Sequence, residues 1–153
     1  MHPIKSLKGK KVALVGLGVS QVDFAIGLEN GKTWDEVWTI NSAAGVYHSD
    51  RMFMLDPASR FFDSDDAGKQ TSVLTRVLPK AQFPVYTCEL DERVPSAEVY
   101  PIEEVCNATG CAYLNNTVAY AIAFALWNEV ASIDLYGIDF SYKENMHFAE
   151  AGR

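Results

Sequence analysis

Gly16-Leu17-Gly18-Val19-Ser20 follows an apolar run in KKVALVGLGVS. Two glycines at this spacing let a backbone approach an anion, and a serine where a helix opens adds a hydroxyl beside its positive end. The dinucleotide-binding fingerprint then breaks off. Gln21 stands where a third glycine would be, and the next β-run, EVWTIN, ends in Asn41 where an acid would hold a ribose. A tight βα turn with Ser20 as helix N-cap is the alternative that needs no ligand. Asn41 both donates and accepts, which suits a neutral ribose or a base edge and equally suits capping of the next turn. Asp56, before Pro57 in FMLDP, and Asp139, in YGIDF, are carboxylates of the kind that hold magnesium between ligand phosphates. Their ligand-free alternatives are an N-cap for a helix opened by Pro57 and a turn aspartate bound to backbone N–H groups. Asn115, Asn116 and Thr117 open an alanine-rich segment, and Ser141, Tyr142 and His147 follow Asp139. His147 sits in a polar stretch, where it could bind phosphate or carry a proton, or simply be a solvated histidine. GKQTS, from Gly68 to Ser72, looks like a phosphate loop only superficially, since it lacks the upstream glycine and the preceding strand.

The elements that would position these groups alternate. KKVALVGLG, EVWTIN, RMFMLDP, FPVYTCE and SIDLYGIDF read as strands. The first is continuously apolar, as a strand buried on both faces should be. Gln21 to Asn30 has helical spacing, with Val22, Ala25, Ile26 and Glu29 on about one face and Asn30-Gly31 as its stop. TSVLTRVL reads as a helix ended by Pro79, and VPSAEVYPIEEV holds a short or edge strand. Asn115 to Glu129 is the strongest helix, with Asn or Thr as its cap. Alternation of this kind implies right-handed crossovers and an α/β fold: a three-layer, Rossmann-like, doubly wound, mostly parallel sheet over residues 1–153. The closing ENMHFAEAGR reads as the opening of one more helix, cut short. In such sheets ligands bind beyond the carboxyl ends of the strands. Gly16, Gly18, Ser20, Asn41, Ser42, Asp56, Asn116, Thr117 and Asp139 all fall at that edge.

The chain has 153 residues, 48% of them hydrophobic, enough for one domain with its own core. A net charge of −7 opposes binding to a phosphate backbone, so nucleic acid is not expected as a partner. The longest apolar stretch, Thr117 to Trp127, is too short to cross a bilayer, and the basic amino terminus has no apolar signal-peptide run. Three cysteines without a metal-binding spacing read as buried or half-buried free thiols, which suits the cytoplasm.

GLGVS, TIN, FMLDP and above all NNTVAYAIAFALWNEVASIDLYGIDFSYKENMH carry a resemblance. The pattern resembles the Rossmann-like family of the archaeal 6-hydroxymethyl-7,8-dihydropterin pyrophosphokinase, related in fold to bacterial sialyltransferases that use a cytidine monophosphate sugar donor. Thr117-Val118 stand where that family has a Ser-Val helix start, and Gly137-Ile138-Asp139-Phe140 and His147 occupy its later positions. The resemblance implies a nucleotide or nucleotide sugar at the strand ends, with Asp56 and Asp139 as the acids to test. The expected protein is a magnesium-assisted transferase domain, with Asp139 and His147 catalytic and Arg51 and Lys143 the only nearby cations. A non-catalytic binding module that keeps the fold is the alternative, and an NAD-dependent oxidoreductase a weaker one.

Overall fold

The computed structural model describes residues 1–64, 68–111, 114 and 116–139. One sheet of six parallel strands organises them: β1 (Lys11–Val15), β2 (Glu36–Ile40), β3 (Arg51–Phe53), β4 (Val85–Thr87), β5 (Ala97–Val99) and β6 (Ser132–Tyr136). The order across the sheet is β5-β4-β3-β2-β1-β6. The chain begins in the sheet, steps outward to β5, and returns to lay β6 on the other flank of β1. The expected α/β, doubly wound, Rossmann-like architecture is therefore present, with its change of direction at β1.

Helices cover both faces. They are α1 (Gln21–Glu29), α2 (Ser59–Phe62), α3 (Lys69–Val77), α4 (Ile102–Thr109) and α5 (Thr117–Trp127). Because side chains alternate along a strand, Val12, Leu14, Trp38, Ile40, Phe53 and Tyr86 meet α4 and α5 on one face. Ala13 and Val15 meet α1 through Phe24, while Met52 and Val85 meet α2 and α3 through Phe61 and Leu74. Burial on both faces explains why β1 is an unbroken apolar run.

Four details differ from the sequence expectation. In α1 the buried residue is Phe24, whereas Val22 and Ile26 are 53% and 49% exposed. The spacing pattern has two apolar stripes here, and Phe24 wins because its ring packs against Trp34, Tyr47 and Tyr136. The stretch after β5 holds a full helix, α4, which Pro101 and the acids Glu103 and Glu104 open. Arg51 heads β3, so it lies at the amino end of the strands, where Glu36 and Tyr86 bind its guanidinium. It is no cation for a ligand at the opposite edge. Among the thiols, Cys88 is exposed and Cys106 and Cys111 are half-buried, all free.

Among the described residues no helix is long and apolar enough to cross a membrane.

Candidate functional site

A cleft of about 290 Å³ opens at the carboxyl edge of the sheet, where β1 has β2 on one side and β6 on the other. Its walls are Gly16, Leu17 and Gly18 after β1, Ile40, Asn41 and Ser42 after β2, and Gly137, Ile138 and Asp139 after β6. Gln70 of α3 and Val118 of α5 complete it, each from the first turns of its helix. Parallel sheets place their ligands at such a reversal because the two diverging crossovers leave a gap there.

The glycine loop is engaged mostly with its own chain. The Gly16 amide donates to the Tyr136 carbonyl at 2.8 Å, and the Gly18 amide to the Gly137 carbonyl at 2.7 Å. The Ser20 amide donates to both Asp139 carboxylate oxygens, at 3.1 and 3.3 Å, and the Ser20 hydroxyl donates to Asp139 Oδ1. That hydroxyl accepts from the Gly137 amide at 2.9 Å. Ser20 thus holds the N-cap position of α1 without capping it through its own side chain. Asp139 is the anion at that helix end. Hydrogen bonds from the Ser20 side chain, then from its amide, hold the Asp139 carboxyl below its ordinary range. The glycines are explained by the same contact: a Cβ on Gly16 would sit 2.6 Å from the Gly137 carbonyl oxygen, and one on Gly18 would strike the Asp139 backbone. Gln21, in place of a third glycine, ties α1 to its surroundings, accepting from the Tyr47 hydroxyl and donating to the Leu17 carbonyl.

Asn41 differs from these groups. It begins the 3-10 turn Asn41–Gly45 with φ of +48°, a left-handed conformation uncommon outside glycine. Its Oδ1 is buried and has no hydrogen-bond partner among the described residues. The ligand-free alternative, in which this oxygen caps the next turn, is therefore not found among the described residues. An unsatisfied buried acceptor in a strained backbone at a cleft wall is a cost that a ligand donor would remove. Thr39 Oγ1 and Ser49 Oγ, 2.7 Å apart and buried, hold the segment between β2 and β3.

The remaining expected residues divide. Asn116 caps α5, its Oδ1 accepting from the Ala119 amide at 2.8 Å, and Thr117 is the first residue of that helix. They set the helix whose Val118 reaches the cleft, and neither lines it. Asp56 is not in the cleft wall either. Its carboxylate accepts from Arg60 at 2.9 Å instead of capping a helix. The expectation that Asp56 and Asp139 share magnesium therefore gets no support: only Asp139 lines the cleft, and each acid has a partner from its own chain. Among the described residues no group of three or more His, Cys, Asp or Glu is placed to hold a metal ion. Asn115, Ser141, Tyr142, Lys143 and His147 lie outside the described residues. Gln70, missed as a site residue, comes from the GKQTS stretch, which resembles a phosphate loop only superficially.

Compared with known proteins, the chain matches no family model, no curated protein and no solved structure.

Proposed function

We propose that this chain binds a nucleotide or nucleotide sugar in the cleft between β1, β2 and β6 and acts as the ligand-binding domain of a transferase. The observation that carries this reading is Asn41, an unsatisfied buried amide oxygen in a left-handed turn at a doubly wound switch point. A ribose hydroxyl or a base amino group is the donor it lacks, and Gln70 supplies a second two-way amide. The first turns of α3 and α5 contribute Gln70 and Val118 to the wall, so two positive helix ends face the edge at which phosphates would lie. The chemistry such a site favours is positioning of the donor, with no metal step assigned to the described acids.

A thermal-shift screen of nucleosides, nucleotides and nucleotide sugars, with and without magnesium, tests it. A ligand present at 100 times its Kd stabilises the fold by about 2.7 kcal/mol, or roughly 5–10 °C in a chain of this size. No stabilisation by any of them at millimolar concentration removes the reading.

The second reading is a binding module without catalysis. Asp56 paired with Arg60 and Asp139 hydrogen-bonded to Ser20 favour it, because both acids already serve contacts within the chain. Prolonged incubation with the stabilising ligand, followed by mass spectrometry, separates the two: a transferase domain passes the donor's group to water and releases the nucleotide, and a binding module returns the donor intact.

A further inference from the structure

We infer that Asp139 is a specificity-determining residue, an internal anion that closes the glycine loop to phosphate and leaves it open to an uncharged, hydroxyl-bearing group such as a ribose or hexose. The inference rests on the ligand-binding reading of the cleft and names which end of the ligand meets which wall.

Three observations converge on it. First, five amides between Gly16 and Asp23 already have partners in the chain. Gly16, Gly18 and Ser20 donate to Tyr136, Gly137 and Asp139, and Gln21 and Asp23 donate back to the Gly18 and Ser20 carbonyls. Second, among the described residues Asp139 is the only charged one in the cleft wall, and no described lysine or arginine accompanies it. An incoming phosphate would compete with a carboxylate for the same Ser20 groups and meet its charge with no described cation in the wall to offset it. Third, the closeness of Gly16, Gly18 and Gly137 serves contact between the β1 and β6 loops, not room for a pyrophosphate. A hydroxyl meets none of these obstacles. Asp139 Oδ2 receives the longer 3.3 Å bond from the Ser20 amide, and a carboxylate oxygen accepts more than one hydrogen bond. A sugar hydroxyl can therefore donate to it without displacing Ser20. Phosphate is left to the other wall, toward Gln70 and Val118.

The experiment follows the Ser20 amide resonance in the full chain. Sodium pyrophosphate at millimolar concentration is expected to leave it unmoved in the wild type. Asp139→Asn keeps an acceptor for Ser20 and removes the charge. In that variant pyrophosphate should shift the Ser20 amide with an affinity at least about tenfold above any wild-type effect. A wild-type Ser20 that responds to pyrophosphate as the variant does overturns the inference. If Asp139→Asn does not fold, the wild-type titration decides alone: movement overturns it and stillness supports it. Cytidine, uridine, adenosine and guanosine form the second arm, in which shifts at both Asn41 and Ser20 are expected. A nucleoside that moves Asn41 and leaves Gly16 to Ser20 unmoved refutes the assignment of the sugar to this loop. Failure of the nucleotide reading itself looks different: no nucleoside moves Asn41, Ser42 or Val118, while the pyrophosphate arm still reports on Asp139.

Discussion

At the scale of single residues, Asn41 and the loop glycines make opposite demands. Asn41 holds a backbone conformation that glycine holds without strain, and its buried oxygen accepts nothing among the described residues. Asn41→Gly should therefore change stability by less than about 1 kcal/mol while weakening any ligand in the cleft at least about tenfold. Urea unfolding and ligand titration of the same variant check both halves. Gly18→Ala should act on stability first. Its new methyl group would run into the Asp139 backbone, which cannot rotate away, so destabilisation at the upper end of about 1–3 kcal/mol is expected. Sequence made these positions visible, because Gly-x-Gly after an apolar run and Asn after the next one are unusual endings for strands. It could not say that the glycines answer to the β6 loop, over a hundred residues away, because that contact depends on where β6 lies in the sheet.

At the scale of elements, two devices are open to measurement. Asn116 caps α5 through the Ala119 amide, and Asn116→Ala should cost about 1 kcal/mol, read by urea unfolding. The loss should also loosen the start of the helix that brings Val118 to the cleft. On the far side, Arg93 in the connection between β4 and β5 binds Asp91 at 2.7 Å and reaches back to Asp63 just after α2 at 2.8 Å. Its guanidinium also lies 4.6 Å from the Phe62 ring. Hydrogen bonds from the Arg93 side chain and amide bring Asp91 down to about 2, and those from its side chain lower Asp63 as well. A carboxyl depressed by folding supports the folded chain above its unfolded value of about 4 and loses that support as pH falls toward the folded value. Stability should consequently drop between about pH 4 and pH 2, and less steeply in Arg93→Ala. Carbon-13 titration of Asp91 in that variant should return it toward the ordinary range. The helix α4 was hidden in the sequence because Ile102 to Thr109 is short and follows Pro101 closely, which reads as a turn until packing against α5 supplies its apolar partner.

At the scale of the whole molecule, one aromatic residue joins the layers. Phe124 of α5 meets the rings of Trp38, Phe53, Tyr86, Tyr100 and Trp127, so it touches three strands. Phe124→Ala should cost about 3–5 kcal/mol, and the fluorescence of Trp38 and Trp127 should report the loss in the same unfolding curve. The sequence by itself determined the class of the fold and the edge where polar groups gather: strands buried on both faces must be nearly all apolar, and polar groups then collect where each strand ends. Only the tertiary structure decided which of those endings meet. Asp56 and Asp139 end strands three places apart in the sheet order, whereas Gly16, Asn41 and Asp139 end neighbours, and strand order is set by long-range packing that no local pattern records. The same packing turned Asp139 from a free acid into the partner of Ser20, because a carboxylate beside a helix start takes the nearest N–H and O–H groups, and here those belong to the chain itself.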